Sequence, residues 1–316
     1  MKIGFVGLGI MGRPMALNLL RSGCELYVND LNEAAVKALC DKGAIAASQA
    51  EIAESCEAVF TILPNGSIVH QVLLGECGML AHMAPGTLAV DMSSVTPEEA
   101  KACHRFAQER GVHFLDAPVS GGEPKAIDGT LAFMIGGTQA AFDAARPLLA
   151  YMGTSLTLVG EGGAGCVTKL ANQIIVNLTI AAVSEALVLA TKAGADPEKV
   201  YQAIRSGLAG SAVLDAKAPM MLARNFQPGG KLSIKYEGYQ ECAGHGPSGG
   251  RAAAAVRRPV RDHDLPQKHG VPGQRPFGHR EVLRTPGRRG GAAAVRRAAT
   301  AAPLSGYNGK EKCRHE

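Results

Sequence analysis

The sequence predicts an α/β fold on three observations. Short apolar, partly β-branched runs alternate with amphipathic stretches, glycines punctuate the turns between them, and one long segment from Gly163 is apolar on nearly every side. The first two features place an α/β domain over residues 1–160. The third places a long helix and the start of a helical region over 161–236.

The opening stretch, "KIGFVGLGIMGRPMALNLLRSG", reads as strand, tight turn and helix. Ile3 to Val6 are apolar, Gly7, Gly9 and Gly12 follow in G-x-G-x-x-G order, and Met15, Leu17, Leu19 and Leu20 continue on a helix ending near Gly23. A second strand, "CELYVND", ends at Asn29 and Asp30, 18 residues after Gly12. In that setting the glycines let backbone approach a pyrophosphate at a helix N-terminus, and the acid accepts from a ribose hydroxyl. Gly7, Leu8, Gly9, Ile10, Met11, Gly12, Asn29 and Asp30 are therefore cofactor-binding candidates. The other reading is a glycine-rich turn in a flavodoxin-like domain. A carboxylate at Asp30 repels a 2′-phosphate, and no Arg or Lys follows it in "NDLNEAA", so NAD(H) is favoured and NADP(H) is the alternative.

Strands also read at "EAVFTILP" and "GTLAVDMSS". Strand ends line the ligand crevice of an open parallel sheet, making Leu63, Pro64, Asn65, Ser94 and Thr96 cofactor-side candidates. For each, a helix cap in an ordinary strand-to-helix turn is an equal alternative. In "FLDAPVSGGEPKAIDGTLAFMIGG", Ser120, Gly121 and Gly122 lie in a polar turn between two strands. Bare N–H groups beside a hydroxyl suit a carboxylate, and a plain hairpin loop fits equally well.

The long segment "GAGCVTKLANQIIVNLTIAAVSEALVLATKAGA" is expected to be a helix buried between domains. Lys169 and Asn172 stand three apart near its start and share a face. A partly desolvated lysine near a helix N-terminus is disfavoured as an ammonium, which suits it to proton transfer; a lysine snorkelling to solvent is the alternative.

Four stretches, "GFVGLGIMG", "DAPVSGGEPKAIDGTL", "GAGCVTKLANQ" and "SGLAGSAVLDAKAP", resemble successive signatures of the β-hydroxyacid dehydrogenases, the family of 3-hydroxyisobutyrate dehydrogenase. Within it, "SGGEPKAIDGTL" and "GLAGSAVLDAKAPM" are most similar to the reductases of tartronate semialdehyde (2-hydroxy-3-oxopropionate). The resemblance runs in order from residue 1 to about 234. It implies an N-terminal Rossmann domain, a long interdomain helix, an all-α C-terminal domain that forms a homodimer or homotetramer, and reversible reduction of tartronate semialdehyde to D-glycerate by a nicotinamide cofactor. It further implies Lys169 as the acid/base residue, Asn172 beside it on the substrate, and Ser120, Gly121 and Gly122 on the substrate carboxylate.

Composition changes character near "SIKYEGYQECAGHG" (233–246). From Glu237 onward there are 15 Lys and Arg against 7 Asp and Glu, whereas residues 1–236 carry 18 against 21. The pI of about 8.8 therefore belongs to the tail, and the main body gives no support for a nucleic-acid partner. Residues 237–316 hold 13 Gly, 7 Pro and 12 Arg, and are expected to be disordered. The resemblance leads to expect a "KD" motif at this point, and Glu237 stands in its lysine position. Back-translating "GQRPFGHREVLRTPG" (273–287) one base later permits GNDHSAIVKYYEHLA, close to the ending expected for the family. "YEGYQECAGHG" and "RDHDLPQKHGV" likewise permit family-like peptides. A frameshift at about 234–236 is the reading that follows.

Eight cysteines without C-x-x-C spacing are expected to be reduced thiols, with no metal site. Four glycines in the first 20 residues argue against a signal peptide, and no uninterrupted apolar run of about 18 residues is found. A cytoplasmic enzyme acting on a small molecule, with no membrane and no nucleic-acid partner, is the expectation; nucleic-acid binding through the basic tail is the alternative of another class.

Overall fold

A computed structural model of the chain describes residues 1–75 and 77–226. The parallel part of its sheet is built from β1 (Lys2–Val6), β2 (Glu25–Asn29), β3 (Ile45–Ala46), β4 (Ala58–Thr61), β5 (Leu88–Asp91) and β6 (His113–Asp116). Between them run α1 (Gly12–Leu20), α2 (Glu33–Cys40), α3 (Gln49–Ser55), α4 (Gly66–Leu73), α5 (Met79–His82) and α6 (Pro97–Gln108). The order β3-β2-β1-β4-β5-β6 is parallel throughout, and β8 (Leu131–Gly137) then joins β6 antiparallel. β7 (Val119–Ser120) pairs antiparallel with β8, and β9 (Gly153–Gly160) pairs parallel with it.

Both faces of the sheet are covered, so its central strands are apolar on both sides. Phe5, Phe60, Val90 and Leu115 point into one core, and Val6, Val59, Ala89 and Phe114 into the other. This is the two-residue alternation of a pleated strand. Polar caps fix where the helices begin. Ser48 and Thr96 each form a reciprocal capping box, and Asn32, Asn65 and Thr138 accept from N–H groups of the helices they precede. Caps of this kind are worth about 1 kcal/mol each.

Helix α7 (Gly122–Asp128) links β7 to β8, and α8 (Gln139–Leu149) links β8 to β9. The chain then enters α9 (Ala164–Lys192), followed by α10 (Pro197–Ile204) and α11 (Ala212–Leu222). Val183 and Leu187 of α9 close a small core with Tyr201, Leu214 and Ala218.

The expectation that α9 is buried fails. Only Gly165, Cys166, Val183 and Leu187 of its residues are buried, and Ile175 and Leu189 are 67% and 70% exposed. Among the described residues its neighbours are the β6, β8, β9 and α6 end of the sheet domain and the pair α10 and α11, which cover only part of its circumference. By length and composition α9 could also cross a membrane, with a mean hydropathy of 2.0 over its most apolar window. Its apolar run is not uninterrupted: Asn172, Gln173, Asn177, Thr179 and Ser184 punctuate it.

The cysteines need a second correction. Cys24, Cys40, Cys56, Cys103 and Cys166 are free, but Cys77 is disulfide-bonded. It lies exposed in the turn before α5, whereas Cys56, Cys103 and Cys166 are buried. The tail composition and shifted frame read after Ile234 lie outside the described residues.

Candidate active site

The order of the sheet reverses between β1 and β4, where the carboxyl ends of parallel strands open a crevice. The loop Gly7–Gly12 lies at that point, and its three glycines serve different ends. Gly7 has φ 98°, and a side chain there would strike the Ile62 carbonyl. Gly12 packs on the Gly7 carbonyl, bringing the first turn of α1 against the strand. Gly9 faces open space, with nothing within 4 Å of where a Cβ would stand. Helix α1 has no side-chain cap, so its N-terminal N–H groups are left without a side-chain acceptor. An open glycine before an uncapped helix start fits a dinucleotide pyrophosphate.

Asp30 holds this loop in place. Its Oδ2 accepts the Leu8 N–H at 2.5 Å and its Oδ1 accepts the Asn32 N–H at 2.7 Å. The Asn29 carbonyl accepts the Gly7 N–H at 3.0 Å, while its side chain donates to the Ala47 carbonyl at 2.7 Å. Leu8 is buried, Met11 is half-buried and Ile10 is 52% exposed beside the open glycine. Beyond Asn29 and Asp30 lies a groove of about 600 Å³, lined also by Glu33, Lys37, Ser48 and Glu51.

At the next strand ends the predicted residues divide. The Leu63 N–H donates to the Ser93 hydroxyl at 2.8 Å, and Pro64 is exposed beside it. Asn65 accepts the Ile68 N–H at 3.0 Å as the cap of α4, and Thr96 is engaged in the α6 capping box. Ser94 is exposed. Its neighbour Ser93, which the sequence reading passed over, is buried and donates to Asp91 Oδ1 at 2.5 Å; Thr61 donates to the same oxygen at 2.7 Å. Burial pushes the Asp91 carboxyl up to about 6, against the lowering effect of these hydrogen bonds. The signal in the sequence was an acid closing the otherwise apolar run "LAVD".

On the other side of the crevice, Gly121 and Gly122 have φ 139° and 70° and open α7. The hairpin alternative captures the antiparallel pairing of β7 with β8, but a short helix joins them in place of a tight turn. A Cβ at Gly121 would lie 2.7 Å from the Lys125 stem, so the glycine is required by packing as well as by its backbone. Asn18 of α1 reaches across to donate to the Ala126 carbonyl at 2.8 Å, tying α7 to the helix of the dinucleotide loop.

Lys169, on α9, is half-buried and donates from Nζ to the Val119 carbonyl at 2.6 Å. Its ammonium thus stands at the residue before Ser120. Asn172, nearly one turn further along the same face, donates to Gln173 Oε1 at 3.1 Å. Sequence reasoning also missed Asp116 and His104. Asp116 closes β6, is 1% exposed, and accepts from His104 Nε2 at 2.8 Å, from the Gly163 N–H at 2.8 Å and from the Cys166 N–H at 2.9 Å.

A dinucleotide-type glycine loop at the sheet's reversal point, together with a lysine held beside a glycine pair, fits a class, the Rossmann-type oxidoreductases. Residues 2–160 match the family described as the NAD binding domain of 6-phosphogluconate dehydrogenase. Residues 163–236 match that described as NAD-binding of NADP-dependent 3-hydroxyisobutyrate dehydrogenase. The 2-hydroxy-3-oxopropionate reductase of Escherichia coli (strain K12) is 46% identical over 235 residues, covering 74% of this chain and 80% of its own length. The 3-hydroxyisobutyrate dehydrogenase of Pseudomonas aeruginosa is 39% identical, over 69% of this chain and 73% of its own. Among solved structures, the Mycobacterium tuberculosis 3-hydroxyisobutyrate dehydrogenase with L-serine superposes with a TM-score of 0.70 at 29% identity, covering 83% of this chain and 94% of that one. The chain belongs to the 3-hydroxyisobutyrate dehydrogenase family of NAD(P)-dependent β-hydroxyacid dehydrogenases, and its cofactor is a nicotinamide dinucleotide.

Proposed function

We propose that this protein reversibly reduces tartronate semialdehyde to D-glycerate, with NADH preferred. The observation that carries the reading is the 2.6 Å hydrogen bond from Lys169 Nζ to the Val119 carbonyl, which sets a proton donor at the edge of the Ser120-Gly121-Gly122 turn. A carboxylate held by that turn leaves a β-carbonyl oxygen within reach of the lysine. The cofactor, when bound, supplies a hydride to the carbonyl carbon. Lys169 gives a proton to the carbonyl oxygen and recovers it in the reverse direction, and Asn172 steadies the substrate oxygens beside it. Asp30 supports NADH over NADPH, since its carboxylate stands where a 2′-phosphate would add negative charge. The 46% identity to the E. coli reductase supports the substrate; the 39% identity to the P. aeruginosa dehydrogenase supports 3-hydroxyisobutyrate-type acids as the second reading. A cytoplasmic homodimer or homotetramer is the assembly proposed for the frame-corrected protein.

Steady-state assays with tartronate semialdehyde and methylmalonate semialdehyde, each with NADH and NADPH, test it. Tartronate semialdehyde with NADH is expected to give the highest kcat/KM. In the frame-corrected protein, Lys169→Ala is expected to lower kcat by about a hundredfold or more, with the NADH dissociation constant nearly unchanged; the altered C-terminus is expected to leave this chain with far lower turnover. Equal losses in cofactor binding and turnover would make the lysine a structural residue.

The reading frame is part of the same proposal. The family match ends at residue 236, where the composition changes, which supports a single inserted nucleotide near codons 234–236. Resequencing the gene is expected to show one base fewer there and an open frame ending soon after a YYEHLA-like peptide. A confirmed sequence without that frame overturns this part.

A further inference from the structure

Helix α9 begins at Gly163, which has φ 90° and supplies no side-chain cap of its own. The cap comes from a different part of the chain. One carboxylate oxygen of Asp116 accepts the Gly163 N–H and the other accepts the Cys166 N–H. The negative charge also meets the positive end of the α9 dipole, which favours it there. His104 of α6 holds the same carboxylate from the side, at 2.8 Å, with its own ring set edge-on to Phe114 at 4.9 Å.

The surrounding glycines are fitted to this arrangement. A Cβ at Gly136 would strike Asp116 Oδ1, and one at Gly165 would strike the Met134 and Asp116 carbonyls. A Cβ at Gly162 would lie 2.5 Å from the His104 ring. The contact between β6 and the start of α9 is therefore close on every side.

Two rungs connect the same two segments. Asp116 bonds to Cys166, and three residues later on both segments Val119 bonds to Lys169. Cys166 and Lys169, three apart on a helix, lie on one face. A shift of the first rung is thus carried along the helix to the second.

We propose that Asp116, held by His104, is a positioning residue for Lys169: by tying the first turn of α9 to the end of β6, it sets where the lysine ammonium lies against the Ser120-Gly121-Gly122 turn. The inference rests on the reading of Lys169 as the proton donor. Asp116 acts through α9, its partners being His104, Gly163 and Cys166.

The test is trace acetylation of the full chain with acetic anhydride, reading the rate at Lys169 against Lys199, whose side chain is 86% exposed. Asp116→Asn keeps the shape of the side chain but turns one acceptor into a donor facing backbone N–H groups. Loss of a cap of this kind raises the frayed population about fivefold. Lys169 is expected to label about fivefold faster in Asp116→Asn, with Lys199 unchanged, exchange at the Cys166 amide accelerated, and kcat lowered at constant NADH affinity. An unchanged Lys169 rate and unchanged kcat alongside faster Cys166 exchange would overturn the proposal, leaving Asp116 as a helix cap alone. Should Asp116→Asn lose NADH binding and prove unfolded, His104→Gln, which keeps the carboxylate on α9, carries the test. A smaller rise at Lys169 is expected there, and no rise overturns the idea. Turnover retained by Lys169→Ala would instead sink the catalytic reading, while the labelling still reports the positioning.

Discussion

At the scale of single residues, the dinucleotide loop separates steric from ligand-directed glycines. Gly12 packs on a carbonyl, so Gly12→Ala must push α1 off β1; it is expected to lower both thermal stability and NADH affinity. Gly9 touches nothing, so Gly9→Ala is expected to leave stability within about 0.5 kcal/mol of the parent. NADH affinity should fall by about tenfold, the equivalent of roughly 1.4 kcal/mol of steric cost at the phosphates. Thermal melts and fluorescence titrations of the two variants check this, and loss of stability in Gly9→Ala would refute the assignment of open space. Asp91 offers a pH test. Its folded-state carboxyl is raised from 3.8 to about 6, chiefly by burial. The folded state therefore holds the proton more tightly than the unfolded chain. The stabilising contribution is complete below about pH 4 and is lost as pH rises through about 6. The Thr61 hydroxyl, the Ser93 hydroxyl and the Ser93 N–H all donate to Oδ1, an atom that asparagine also has. Asp91→Asn should accordingly remove the part of the decline in Tm between about pH 4 and 6 that belongs to this group, gaining stability relative to the parent at pH 7. Tm measured across that range in both proteins checks it, and parallel profiles would count against the burial of an ionisable carboxyl here.

At the scale of elements, legibility depended on whether an element is set by its own residues. The β1-turn-α1 unit was readable because Ile3 to Val6, the three glycines and the following leucines act within one stretch of chain. Caps were readable as possibilities, and Asn65 and Thr96 both cap the helices they precede. Helix α7 was not readable as a helix: its seven residues are started by two glycines at positive φ and ended by Gly129 at φ 70°, with its last carbonyls held by Asn18 from 108 residues away. Position 116 escaped for the same reason. In "FLDAPVSGG" it reads as one more polar residue at a strand end, and nothing nearby reveals that its partners are an imidazole on α6 and two amides on α9. The extent of α9 was legible from its composition, but not its exposure. A helix apolar all round asks for partners on every side, whereas the described residues supply them at its first turn and along the α10 and α11 face.

At the scale of the whole molecule, the sheet domain is nearly self-sufficient. Its two cores are built from residues between Ile3 and Leu158, and among the described residues only Cys166 joins them from beyond β9. The dinucleotide loop, Asp30 and the Ser93–Asp91–Thr61 network all lie within that span. A fragment of residues 1–160 is therefore expected to fold and to bind NADH measurably in a fluorescence titration, while lacking Lys169 and hence turnover. The same fragment distinguishes a local cap from a link between the sheet and α9. In the full chain, Asp116→Asn places an amide donor against backbone N–H groups in a buried setting and should cost about 1–3 kcal/mol in urea unfolding. In the fragment those amides are gone and the carboxyl end of β6 is open to water, so the same substitution should be neutral to within about 0.5 kcal/mol. A penalty of equal size in both would mean that Asp116 is needed by the sheet itself through His104, and that α9 takes its place at the site by other contacts.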